Sequence, residues 1–185
     1  MTRLRIAWLL PALLILAASP ARSGAFIKGG AFFGADDLTV DTSNSHWIAG
    51  VGSDSWVSEV FALGFEVDFT HTSSEALLSD DDIDTFYIYP YITAKFRIPT
   101  DGFQLYAGGG IGYSPIITTR EEEAHQVGGL GYQFVGGISF ADLMDTGLFI
   151  EAQYKVTDVN DDEGRLFVPQ NGSYDLFLLV GGIHF

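Results

Sequence analysis

From Tyr174 to the carboxy-terminal Phe185 the chain alternates between two faces. Phe177, Leu179, Gly181, Ile183 and Phe185 fall on one; Tyr174, Leu176, Leu178, Val180, Gly182 and His184 fall on the other. A period of two is the signature of a β-strand, whose successive side chains point to opposite sides of the sheet. The same rhythm recurs along the chain and predicts eight strands, over 25–34, 45–52, 57–72, 85–98, 103–114, 127–140, 148–156 and 173–185. The connections alternate in length. Segments 53–56, 99–102 and 141–147 are short, and Pro99 to Gly102 reads as a tight turn. Segments 35–44, 73–84, 115–126 and 157–172 are longer.

The charges test the alternation. In the third segment Phe61, Leu63, Phe65, Val67 and Phe69 oppose Gly64, Glu66, Asp68 and Thr70. In the fourth, Phe86, Ile88, Ile92, Phe96 and Ile98 oppose Tyr87, Tyr89, Tyr91, Lys95 and Arg97. In the seventh, Leu148, Ile150, Ala152 and Tyr154 oppose Glu151, Gln153 and Lys155; in the first, Ala25, Ile27 and Phe33 oppose Phe26, Lys28 and Phe32. All four basic residues borne by these strands therefore share the polar face. One face without charge and one with it suits a closed sheet whose outside meets lipid, where a basic side chain at the midplane costs about 2–4 kcal/mol. A soluble barrel or sandwich would need a second sheet or an enclosed ligand to cover the apolar face.

The expected fold is thus all-β: an eight-stranded, antiparallel, up-and-down transmembrane β-barrel. Eight strands leave an interior wide enough only for side chains. The inward charges must then pair with one another, which predicts an ion-pair and hydrogen-bond network plugging the lumen. Gly108, Gly110, Gly112, Gly129, Gly131 and Gly137 fall inward. They are expected to make room for Tyr87, Tyr89, Tyr91 and Tyr106. Trp47, Phe103, Tyr113, Phe140 and Phe185 fall outward near strand ends, as interfacial girdles require.

The amino terminus changes the compartment. Arg3 and Arg5 precede an apolar stretch from Ile6 to Ala18, and small residues follow at Ala21 and Ser23. This is the pattern of a secretory signal peptide over 1–23, with the barrel domain over 24–185. No later segment is long and apolar enough for a transmembrane helix. The 185 residues contain no Cys, which excludes disulfides, thiolate metal sites and a Cys nucleophile. The formal charge is −15, and the charged residues of the leader, Arg3, Arg5 and Arg22, are all basic, so the rest is more acidic still. Such a balance argues against nucleic-acid binding.

The runs FQLYAGGGIGYSP (103–115), GYQFVGGISF (131–140), LFIEAQYKVTD (148–158) and LLVGGIHF (178–185) resemble the small outer-membrane β-barrel family that includes opacity proteins and OmpA-like eight-stranded barrels. The resemblance spans essentially the whole mature chain and marks the barrel rather than an activity. It implies location in the bacterial outer membrane, contact with lipid and lipopolysaccharide, and insertion by the barrel-assembly machinery reading the terminal aromatic. It also implies a non-catalytic role in envelope structure, adhesion or other surface interaction. It carries over no catalytic residue, cofactor site or metal ligand.

Most of the chain's 24 acids lie in the longer connections. They are Asp36, Asp37 and Asp41; Glu75, Asp80, Asp81, Asp82 and Asp84; Glu121, Glu122 and Glu123; and Asp158, Asp161, Asp162 and Glu163. Clustered oxygens suit divalent cations, Ca²⁺ or Mg²⁺, although none of these runs has the EF-hand spacing. A solvated, repulsive surface is the plainer reading. His71-Thr72-Ser73 resembles the His-x-Ser placement of outer-membrane lipid A deacylases, with Glu75 as candidate orienting acid but Ser74 where that family has Asn, and the resemblance implies the alternative of a lipid-modifying hydrolase. A narrow, porin-like ion channel is the third class, opposed by an interior filled by Lys95, Arg97, Glu66, Asp68 and Glu151. His46, His125 and His184 share no metal-ligand spacing and read as surface or interface residues.

Overall fold

A computed structural model describes residues 23–34, 47–75, 82–100, 102–120, 123–143, 146–160 and 171–185. The strands are β1 (Ser23–Gly34), β2 (Trp47–Trp56), β3 (Phe61–Glu75), β4 (Asp82–Pro99), β5 (Gln104–Arg120), β6 (Glu123–Leu143), β7 (Thr146–Asn160) and β8 (Asn171–His184). Each pairs antiparallel with its neighbour in sequence, and β1 pairs with β8, so the sheet closes. Closure runs from Phe26 opposite His184 to Gly34 opposite Leu176. The amide of Phe185 adds one more bond, to the carbonyl of Ala25 at 2.8 Å. Every backbone donor of a closed sheet can find a partner in the next strand, which is what a membrane demands of a spanning sheet.

The predicted faces hold. Phe26, Lys28, Glu66, Asp68, Tyr89, Tyr91, Lys95, Glu151, Lys155, Leu178 and Val180 are buried, while Ile27, Phe69, Ile92, Phe96, Ile150 and Leu179 are exposed. Among the described residues no second layer packs on these side chains, and the exposed set is the outside of the barrel.

Several boundaries differ from the sequence expectation, among them the connection expected at 141–147, where 141–143 and 146–147 are strand. Residues 53–56 are the end of β2, not a connection; the turn is at 57–60. It is closed by the amide of Val57 bonding the Phe61 carbonyl at 3.0 Å, and by the Phe61 amide donating to Ser58 Oγ at 3.1 Å. The expected long connection over 115–126 is mostly sheet, since β5 reaches Arg120 and β6 begins at Glu123, with those two in register. Residues 73–75, 82–84, 157–160 and 171–172 are likewise strand. The physical reason is common to all: ladder hydrogen bonds continue between neighbouring strands where the side chains have stopped alternating between apolar and polar. The turn expected at 99–102 begins one residue later, because Pro99 is the last residue of β4. Gly102 has a φ of 86°, a left-handed conformation glycine adopts without steric cost, and the Thr100 amide bonds the Phe103 carbonyl at 3.2 Å. The leader expected over 1–23 lies outside the described residues except for Ser23, the first residue of β1.

The barrel has a turn end, which carries the 57–60 turn, the 100–103 turn and the described ends of the chain, and a loop end opposite.

Candidate functional site

The lumen holds the chemistry. Three ammonium groups meet four carboxylates, each carried inward by the pleat of a different part of the sheet. Lys28 on β1 lies 3.0 Å from Asp68, 3.1 Å from Glu66 and 3.8 Å from Glu151. These are ion-pair contacts. Lys155 on β7 makes the directed bonds, 2.6 Å to Asp68 Oδ2 and 2.8 Å to Gln133 Oε1, and lies 3.6 Å from Glu66. Gln133 in turn donates to Glu66 Oε1 at 2.6 Å, and Gln153 donates to Glu151. Nearer the turn end, Lys95 bonds Asp54 at 3.1 Å and lies 3.6 Å from Glu151. The predicted network is therefore present, and buried on all sides.

Rings seal it above and below. Toward the turn end, Phe26 packs edge-on against Phe149 at 5.8 Å and against His184 at 5.4 Å, with Phe149 and His184 at 4.7 Å. The Lys95 ammonium sits 5.0 Å from the Phe26 ring and 5.7 Å from Tyr106. Toward the loop end, Tyr87, Tyr89 and Tyr91 stack in a column at 6.1 and 6.3 Å, beside buried Phe32, Ile48, Leu176 and Leu178. Lys155 lies 4.6 Å from Tyr91.

Of the six glycines expected to make room for tyrosines, Gly131 and Gly137 do so, whereas Gly108, Gly110, Gly112 and Gly129 stand closest to carbonyls of the neighbouring strand. A Cβ on Gly131 would meet Tyr91 Oη at 2.4 Å, and one on Gly137 would meet the Tyr106 ring at 2.5 Å. Gly50 and Gly52, which the sequence reading passed over, do the same for Asp68 and Phe26.

Several expected residues move. Arg97 is not part of the ionic core: its guanidinium stacks on Trp56 at 3.9 Å at the turn-end rim and donates to the Glu59 carbonyl at 2.5 Å and Gln104 Oε1 at 3.1 Å. Asp54 takes a place in the core that the sequence reading gave to a connection. Its signal was the spacing of two from Gly50 and Gly52, which continues the inward face of β2. Gln133 was missed for a plainer reason: an uncharged side chain does not stand out on a polar face. His184, expected at the surface or an interface, is part of the turn-end ring cluster.

His71 lies on the outward face between Trp47 at 6.3 Å and Phe86 at 4.6 Å. Ser73 stands opposite Asp84 and Glu75 opposite Asp82 in the β3–β4 register; their side chains lie outside the described set. Asp82, Asp84, Glu123 and Asp158 also belong to strands. Asp36, Asp37, Asp41, Asp80, Asp81, Glu121, Glu122, Asp161, Asp162, Glu163 and His46 lie outside the described residues. His125 is in β6. Among the described residues no group of three His, Asp or Glu side chains is placed to hold a metal.

Outward, Trp47 stands at the loop end of β2, Phe69, Tyr113, Tyr132, Tyr154 and Phe177 lie near the middle of their strands, and Phe61, Phe96, Phe103, Phe140 and Phe185 lie toward the turn end. Trp47, Phe103, Tyr113, Phe140 and Phe185 are all exposed. A closed antiparallel barrel with a charged, filled interior and an apolar exterior rich in aromatic side chains is a transmembrane β-barrel. The chain belongs to the outer membrane protein beta-barrel domain family, whose model matches residues 8–176.

Solved structures of the same fold include Neisserial surface protein A, at 9% identity over 88% of this chain and 95% of that one, with a TM-score of 0.65. Ail, the attachment invasion locus protein of Yersinia pestis, is 15% identical over 88% and 97%, with a TM-score of 0.54. The N-terminal β-barrel domain of Pseudomonas aeruginosa OprF is 10% identical over 89% and 98%, with a TM-score of 0.51. No curated protein matches the sequence.

Proposed function

We propose that this outer-membrane barrel is a non-catalytic anchor whose loop end, displayed outside the cell, makes surface interactions. The observation that carries this reading is the sealed lumen: the Lys28, Lys95 and Lys155 pairs and the rings above and below them occupy the space a channel would need. With the inside filled and the outside committed to lipid, the loop end is the surface left for specific contact. Export by a leader over 1–23 and insertion by the barrel-assembly machinery complete the reading, and lipopolysaccharide is the first partner the loops meet. Divalent cations at Asp80, Asp81 and Asp82 would bridge those acids to its anionic groups.

Deleting residues 76–81 or 161–170 in an expressing strain tests the proposal. Loss of cell-surface adhesion with an intact permeability barrier is the expected result. A leaky envelope with adhesion unchanged would assign the barrel a structural role instead. Planar-bilayer recordings of the purified protein should show no discrete conductance steps, and incubation with lipid A should release no acyl chain.

A further inference from the structure

The outward apolar face is not equally tall around the barrel. On β4 it runs from Ile98 to Phe86, and on β5 from Leu105 to Ile117, without a charged side chain. On β7 it runs only from Leu148 to Val156, where Asp158 follows on the same face, exposed. On β8 it runs from Phe185 to Phe177, where Asp175 follows. Asp175 is a built boundary: it accepts hydrogen bonds from Tyr154 Oη at 2.5 Å and Ser173 Oγ at 3.1 Å.

All four strands start from the turn end. At about 3.3 Å per residue and a tilt of about 40°, the apolar face is about 30 Å tall on β4 and β5 but about 20 Å on β7 and β8. The usual band is about 25 Å. The excess is one patch: Phe86, 43% exposed, stands opposite Ile117 on one side and His71 on the other. It continues the lipid-facing surface through Ile88 and Ile92 without a break.

We infer that the barrel axis leans in the membrane, so that hydrocarbon covers the patch around Phe86 and Ile117 while Asp158 and Asp175 stay in the headgroups. An upright barrel would leave Phe86 and Ile117 in water or draw the two carboxylates toward the acyl chains. Leaning matches both sides at once, as it does for helices longer than the bilayer. The occupant of the patch is lipid acyl chain, because the patch is continuous with the face that lipid already covers.

The absence of Cys makes the test direct. Phe86→Cys, Ile117→Cys, Asp158→Cys and, as a mid-belt reference, Ile92→Cys are each labelled with a nitroxide. The full mature barrel is then refolded into dioleoylphosphatidylcholine vesicles. Collision with oxygen and with a water-soluble nickel complex is read by electron paramagnetic resonance. Labels at 86 and 117 should favour oxygen several-fold, as at 92, and the label at 158 should favour nickel. Equal nickel access at 86, 117 and 158 overturns the inference and leaves the patch open to a protein partner. Should the Phe86 change disturb folding through its contact with His71, Ile117→Cys reads the same side. Polarised infrared spectra of the unsubstituted protein in aligned bilayers give the axis directly, and an upright axis refutes the lean.

Discussion

Lys28 is the ammonium most encircled by carboxylates, and replacing it by Met removes a charge of nearly the same length from the middle of the lumen. Its side chain is fully buried, as are those of Glu66, Asp68 and Glu151 around it. Removing one partner of a buried pair costs about 3–5 kcal/mol, because the other charge stays buried without compensation. Here the loss should fall at the lower end. Asp68 keeps Lys155 at 2.6 Å, Glu66 keeps Gln133 at 2.6 Å, and Glu151 keeps Lys95 at 3.6 Å. A loss of about 3 kcal/mol with a slope of about 2 kcal/mol per molar lowers the urea midpoint by about 1.5 M. Reversible unfolding in lipid vesicles, followed by the fluorescence of Trp47 and Trp56, measures it.

The four carboxylates outnumber the three ammonium groups even before the change, so Lys28→Met with Glu66→Met should recover more than half of the loss. The two positions touch and are expected to couple. A midpoint shift below about 0.3 M for the single change would mean that water in the lumen already screens these charges. A double variant weaker than the single one would show that Lys28 acts through packing rather than charge.

Gly129→Ala should cost about 3 kcal/mol by overpacking, because the new Cβ would sit 1.6 Å from the Asp158 carbonyl oxygen and the two strands must part. Gly136→Ala meets nothing nearer than 4.0 Å and should be near neutral in the same unfolding assay. Gly131→Ala should fall between them: the obstacles are side-chain atoms, Tyr91 Oη and Ser114 Oγ, whose displacement also breaks their 3.4 Å contact but leaves the backbone pairing in place. Removing Phe185 should lower the amount of protein in the outer-membrane fraction of cells. Refolding in detergent, read by heat-dependent gel mobility, should be largely kept, since the described β1–β8 register runs from His184 to Leu176 without it.

The legible part of this barrel was its parity. Strand after strand, the inward or outward direction of Lys28, Glu66, Lys95, Glu151 and Lys155 followed from counting by two, because a pleated strand has no other way to place successive side chains. The rims were less legible. Ser53-Asp54-Ser55 looks like a turn by composition and is strand because β1 and β3 both continue to bond it. Arg120 and Glu123 lie across a two-residue gap that polar composition alone had read as a longer loop. Arg97 has the right parity for the core and still sits at the rim, because parity says which face a residue takes and not how far along the barrel it lies.

By itself, then, the sequence determined the number of strands, the closed transmembrane sheet and the inward direction of Lys28, Glu66, Asp68, Lys95, Glu151 and Lys155. Each of these follows from a local period and from the cost of placing charge in lipid. Which charge meets which was decided by the tertiary structure alone. Lys155 reaches Asp68 across 87 residues of chain, and Lys28 reaches Glu151 from the opposite end of the sequence. Those meetings depend on the stagger with which eight strands close. A slip of one residue in any pairing would send the same lysines to the outside.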